Sequence, residues 1–136
     1  MRRGATLALA GLLSCAPSGP PAIRVGAPCA GCDMTIGDLR FACERGAGGS
    51  WRQYDSIECL ARDSAATGAI FLADYDARTL APAESLWVVK GDFPSPMGGG
   101  LAAFRDRAAA GDIAARTHGQ VGRFADLAAA TAAERP

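Results

Sequence analysis

The sequence lacks what several common functional classes require. Its 14 Lys and Arg residues are balanced by 14 Asp and Glu residues, so there is no basic surplus to neutralise phosphates. Nucleic acid is therefore not expected as a partner. There is a single histidine, His118, and no nucleophile has a general base three residues or one helical turn away. The chain is therefore not expected to be an enzyme.

Long hydrophobic runs are also missing. The N-terminal apolar stretch from Ala5 to Leu13 is nine residues long, whereas a membrane-spanning helix needs about 20. It follows Arg2 and Arg3, and this combination is typical of a secretory signal peptide. The stretch ends in Leu-Leu-Ser-Cys, which resembles the bacterial lipobox, in which the cysteine (here Cys15) is acylated and becomes the first mature residue.

These features predict how the mature chain begins. Residues 1–14 are predicted to be a lipoprotein signal peptide that is removed, and residues 15–28, with their prolines, a lipid-anchored linker. With an acylated Cys15, the chain is expected at the periplasmic side of a bacterial membrane, and the outer membrane is favoured over the inner one.

The next part of the chain shows two strand patterns, a helix pattern and a further strand pattern. The strands are predicted at residues 39–44, 51–54 and 70–75. The helix is predicted between the last two, with Asp55 or Ser56 as its cap and its end near Ala66.

A second, looser set of patterns follows in the same order. Residues 86–90 predict a strand and residues 94–100 a Gly/Pro-rich loop. Leu101, Phe104 and Ala108 mark one face of a predicted helix, interrupted at Gly111. Residues 121–124 predict a closing strand.

The repeated order predicts an α+β protein built of tandem ββαβ units. We assign residues 29–78 to the first unit and residues 79–125 to the second. Residues 126–136 form an Ala-rich tail.

One short segment concentrates the chemistry. Cys29 and Cys32 form a Cys-x-x-Cys pair, and Met34 follows two residues later. A redox pair normally opens a helix that lowers the thiol pKa, but Gly31 and Gly37 favour a loop here. A zinc site would need a second Cys-x-x-Cys or a His-x-x-His, which the sequence lacks. A thiolate beside a thioether is a soft donor set that favours Cu(I).

Met97 offers a second thioether, in the Gly/Pro-rich loop where a long apolar side chain has few local packing partners. It is either a soft donor or a side chain that fills a gap under the loop. Cys43 and Cys59 are predicted to be buried core thiols. The pattern leaves open whether any disulfide forms among these two cysteines, Cys29 and Cys32.

Four blocks of the sequence resemble, in order, motifs of NosL, a family of nitrous oxide reductase accessory lipoproteins. They are Cys29 to Ile36, Tyr54 to Leu60, Ser95 to Gly98 and His118 to Val121. Together with the lipobox they extend over nearly the whole chain.

The resemblance implies a Cu(I) chaperone that delivers copper for the copper–sulfide cluster of nitrous oxide reductase. It implies that enzyme and its membrane assembly machinery as partners, and a tandem ββαβ fold distantly shared with organomercurial lyase. As metal donors we expect Cys32, Met34 and Met97, with Cys29 and His118 as further candidates.

Two other functions stay open. A thiol–disulfide oxidoreductase would use Cys29 and Cys32. An enzyme similar to organomercurial lyase would need cysteines from different parts of the fold, such as Cys32 with Cys43 or Cys59.

Overall fold

The computed structural model describes residues 19–65 and 67–133. The predicted signal peptide and the predicted lipidation site Cys15 lie outside these ranges. Within them, no helix is long and apolar enough to cross a membrane.

Two antiparallel sheets and three α-helices make up the described chain, which confirms the predicted α+β class. The elements are β1 (Cys43–Ala47), β2 (Ser50–Tyr54), α1 (Ile57–Arg62), β3 (Ala69–Ala73), β4 (Leu80–Pro82), a 3-10 turn (Ala83–Ser85), β5 (Trp87–Lys90), β6 (Leu101–Phe104), α2 (Arg107–Arg116), β7 (Gln120–Gly122) and α3 (Phe124–Ala133). The strand order is β2-β1-β3-β4 in one sheet and β6-β5-β7 in the other.

The order strand, strand, helix, strand occurs from β1 to β3 and again from β5 to β7. In each case the first of the three strands lies between the other two in its sheet. The unit boundaries and the relationship to organomercurial lyase stay predictions.

A common core joins the two sheets. One cluster of buried side chains includes Cys43 and Leu72 from the first sheet together with Val88 and Leu101 from the second. The sheets also meet through the backbone, where Tyr75 N donates to Ala103 O at 2.8 Å. The site described below therefore lies on a scaffold to which both halves contribute.

The predicted helix through Leu101, Phe104 and Ala108 is wrong. Residues 101–104 form strand β6, and all four are buried. The helix α2 begins only after Asp106, whose side chain accepts a hydrogen bond from Ala108 N and caps it, and it continues through Gly111. A short, fully buried apolar run carries no periodicity that distinguishes a strand from a helix, which explains the error.

Other element boundaries also shift. The first strand begins at Cys43 rather than at residue 39, because Asp38 O accepts a hydrogen bond from Phe41 N and turns the chain there. The helix predicted to follow a cap at Asp55 or Ser56 and to run to about Ala66 is capped by Ser56 and already ends at Arg62. Strand β4 has no counterpart among the predicted elements.

Part of the predicted linker contacts the domain. Pro20, Pro21 and Ile23 line a pocket together with Phe71 and other side chains of the first sheet. Further on, Gly26 N donates to Ile36 O at 2.8 Å, which starts a hairpin-like loop with the Cys-x-x-Cys pair at its tip.

Candidate metal centre

Two candidate donors lie at the N-terminal end of α1. Ser56 caps the helix, and its hydroxyl accepts a hydrogen bond from Cys59 N at 3.1 Å. Asp55 immediately precedes this cap and Cys59 lies in the first turn, so both side chains are fixed at the same end of the helix. Both are buried.

The loop that carries Cys29 and Cys32 docks on this helix end. Cys29 N donates to Met34 O at 2.9 Å and closes the loop, while Ala30 N donates to Gln53 O of β2 at 2.7 Å. A Cβ atom on Gly31 would lie 3.0 Å from both Cβ and O of Cys59. Glycine at this position therefore lets the loop approach Cys59.

Docking brings four donor atoms together. The thiol sulfurs of Cys29, Cys32 and Cys59 and a carboxylate oxygen of Asp55 all lie within 4.8 Å of one another. We call these four residues the cysteine cluster. The Cys29 thiol donates to Asp55 Oδ1 at 3.4 Å and the Cys32 thiol to Asp55 Oδ2 at 4.0 Å. No disulfide joins the cysteines that the structure describes.

The cluster is buried on one side and accessible on the other. Cys29 and Cys59 are 6% and 2% exposed, whereas Cys32 is half-buried. A small ion can therefore reach the sulfurs from the Cys32 side without unfolding the core.

Burial keeps the inner thiols protonated in the metal-free protein. Loss of solvation raises the pKa of Cys29, although Asp55 N and Gly31 N both donate to its sulfur. Loss of solvation also raises the pKa of Cys59. A thiol of this kind is a poor nucleophile, but a bound metal can displace its proton.

Met97 approaches the same helix through its loop. Its side chain is half-buried and packs against the core cluster that contains Cys29 and Cys59. The loop is held on α1 because the Ser95 hydroxyl donates to Glu58 Oε1 at 3.1 Å. The fold thus places the Met97 loop and the Cys-x-x-Cys loop against one short helix.

The comparison with protein families decides the assignment. The NosL family model matches residues 50–132, which is more than half of the chain. The chain belongs to the NosL family. The family suggested by the sequence motifs is thereby confirmed. The matched range contains Asp55, Cys59, Met97 and His118, while Cys29 and Cys32 precede it.

The fold agrees with that of a solved NosL protein. The chain is similar to the copper chaperone NosL from Shewanella denitrificans, with a TM-score of 0.66 and 18% sequence identity. The similarity covers 80% of this chain and 95% of that chain. Comparison with curated proteins gives no match.

His118, a candidate that the resemblance to NosL added, lies at the surface. Its Nδ1 is 3.8 Å from Asp92 Oδ2, and both side chains are largely exposed. It lines an open pocket with Gly98 and Gly99, the two residues after Met97. His118 is therefore a neighbour of the Met97 loop and not a member of the cysteine cluster.

Met34 is on the outside of the Cys-x-x-Cys loop. Its side chain is 46% exposed, and the described residues include only one other large hydrophobic side chain with such exposure, Val25. Like Met97 and His118, Met34 remains a predicted ligand of this NosL-family chain.

The cysteines outside the Cys-x-x-Cys pair have different surroundings. Both Cys43 and Cys59 are buried, as predicted. The Cys43 thiol donates to Ser56 O at 3.2 Å and lies outside the cluster. Asp55 and Cys59 were not selected as donors from the sequence. Helical spacing gave no indication, because α1 begins at Ile57 and Asp55 precedes the extended cap residue Ser56.

Proposed function

We propose that this NosL-family chain is a lipid-anchored Cu(I) chaperone at the periplasmic side of the membrane. In this proposal it delivers copper for the copper–sulfide cluster of nitrous oxide reductase. The observation that carries the proposal is the cysteine cluster, in which three thiols from two chain segments converge with one carboxylate. Thiolates are the ligands that select Cu(I), and a single oxygen donor leaves the set predominantly soft.

Partial exposure of the cluster suits a carrier. Cys32 is the most accessible donor of the four, and the side chain of Met34, two residues further along the chain, is exposed. An acceptor protein can reach these side chains first. Copper would then pass by exchange of one ligand at a time, while Cys29 and Cys59 hold it from the buried side.

A thiol–disulfide oxidoreductase is the weaker proposal. Its attacking cysteine would need a lowered pKa, usually at a helix N-terminus. Here Cys29 lies in a loop, and burial raises the pKa of its thiol.

A lyase acting on organomercurials has one observation in its favour. Cys32 and Cys59 come from different segments and lie beside Asp55, so two thiols and a carboxylate could face one mercury atom. Turnover of an organomercurial by the reduced wild-type protein would support this second proposal. Its absence, together with tight Cu(I) binding, supports the chaperone.

Metal preference tests the chaperone proposal. The reduced protein is expected to bind about one Cu(I) per chain, or per dimer, far more tightly than Zn²⁺, because thiolate and thioether donors are soft. The measurement is anaerobic competition against a Cu(I) chelator, repeated with excess Zn²⁺. If Zn²⁺ displaced Cu(I) at comparable concentration, the cluster would be a structural metal site. Delivery is then tested by transfer of copper from the loaded protein to copper-free nitrous oxide reductase.

The anchor is tested by a separate variant. In a Gram-negative host the wild type is expected to fractionate with membranes, and Cys15→Ser to become soluble or to remain as uncleaved precursor. Two or more acyl chains hold a protein firmly, and Cys15→Ser removes the site at which they are attached. Labelling with a radioactive fatty acid checks the modification directly, and a wild-type protein that takes up no label would contradict the prediction. Cys43→Ser, which leaves residue 15 intact, is the matched control.

A further inference from the structure

Glu58 is a buried carboxylate that the copper site described so far does not use. It lies in the first turn of α1, next to Cys59, and is 0% exposed. Its Oε1 accepts hydrogen bonds from the Ser95 hydroxyl at 3.1 Å and from Leu101 N at 3.4 Å. Its Oε2 has no hydrogen-bond partner among the described residues.

A half-satisfied carboxylate in this position is costly. Taking a carboxylate out of water without complete hydrogen bonding destabilises the folded protein. A leucine of similar size would fill the space without that cost. Glu58, however, accepts two hydrogen bonds from the segment that carries Met97. An apolar side chain cannot accept them.

These contacts shape the Met97 loop. The Ser95 hydroxyl that donates to Glu58 also accepts from Gly100 N at 2.9 Å, so one hydroxyl closes the loop and attaches it to α1. A Cβ atom on Gly99 would lie 2.6 Å from Glu58 Oε1. Glycine at position 99 therefore allows the loop backbone to lie directly against the carboxylate.

We infer that Glu58 is a positioning residue that holds the Met97 loop at the end of α1 that carries Cys59. The inference rests on the proposed Cu(I) function and adds a residue that acts on the metal through Met97. Without the carboxylate, the thioether would have to be ordered at the moment of binding, which lowers affinity.

The test is a double-mutant cycle between Glu58 and Met97 in the full chain, measured as Cu(I) affinity by chelator competition. Glu58→Leu and Met97→Leu are each expected to weaken binding about tenfold, the factor that corresponds to one hydrogen bond to a charged group. If Glu58 acts through Met97, the double variant binds no more weakly than either single variant. Glu58→Gln, which keeps an acceptor oxygen for Ser95 and Leu101, is expected to bind within about threefold of the wild type.

Glu44 provides the matched control. It is also 0% exposed, accepts one side-chain hydrogen bond, from Gln53 at 2.6 Å, and has one oxygen without a partner among the described residues. Glu44→Leu removes an equivalent buried carboxylate from β1 and is expected to leave Cu(I) affinity unchanged. NMR of methyl-labelled methionine adds a direct observation, since the shift of the Met97 methyl group on Cu(I) addition should be smaller in Glu58→Leu than in the wild type.

The outcomes separate this inference from the proposed function. If Glu58→Leu binds Cu(I) with wild-type affinity while Met97→Leu binds it weakly, only the positioning role of Glu58 is overturned. The same conclusion follows if the two losses of affinity multiply in the double variant. Wild-type affinity in Met97→Leu overturns both the ligand role of Met97 and the inference. A wild type that binds no Cu(I) overturns the proposed function. Should Glu58→Leu fail to fold, Ser95→Ala replaces it in the cycle with the same expected results.

Discussion

Replacing Cys59 with alanine is expected to lower the affinity for Cu(I) by about a hundredfold or more, because loss of an anionic thiolate donor exceeds the loss of about 10–100-fold typical of an outer partner. The Cys59 sulfur lies within 4.8 Å of the donor atoms of Cys29, Cys32 and Asp55. The measurement is competition with a Cu(I) chelator under anaerobic conditions, together with the thermal midpoint of the metal-free protein.

Cys43→Ala is the matched control for this prediction. Cys43 is also a buried thiol, but its hydrogen bond goes to Ser56 O and it lies outside the cluster. We expect it to lower the free energy of unfolding by about 1 kcal/mol or more, as for other truncations in a core, while Cu(I) affinity stays near that of the wild type. Equal affinities of the two variants would show that Cys59 serves packing only.

Cu(I) affinity is expected to rise steeply with pH. Burial raises the pKa of the Cys29 and Cys59 thiols above the ordinary value, so both are protonated at neutral pH. Copper binds thiolates, so each of these two residues releases a proton on binding. Below the folded pKa values, the protons of these two thiols by themselves make the apparent affinity rise about a hundredfold per pH unit.

The slope itself is the informative quantity. Chelator competition between about pH 6 and pH 8, corrected for protonation of the chelator, gives the number of protons released per copper. Cys59→Ala is expected to lower this number by about one. A slope clearly below two protons in the wild type would contradict the assignment of both thiols as ligands.

Local sequence patterns were sufficient for part of the fold and of the site. The Cys29–Cys32 pair indicated a loop of candidate metal donors because its spacing is local, and the cap predicted at Asp55 or Ser56 marked the start of α1. The buried positions of Cys43 and Cys59 also followed from their apolar surroundings. The strand at Leu101 was missed because a four-residue buried run has no period that favours a strand over a helix.

The remainder of the site depends on contacts that no local pattern contains. Asp55 meets Cys29 across 26 positions in the sequence, and Glu58 meets Ser95 across 37. Such pairs are set by how the two loops dock on α1. The choice between packing and metal binding for Cys59 could not be made from the residues around it, because burial is common to both roles.

The docking of the Cys-x-x-Cys loop also affects the solubility of the protein. Strand β2 is an edge strand of its sheet, and an open edge is a template for pairing with another chain. On this edge, Ala30 N donates a hydrogen bond to Gln53 O. The Arg52 guanidinium donates to Ala30 O at 3.2 Å and places a positive charge on the same edge. The loop that supplies two thiols to the cluster therefore also covers part of this edge, and shortening it would remove the thiols and the cover together.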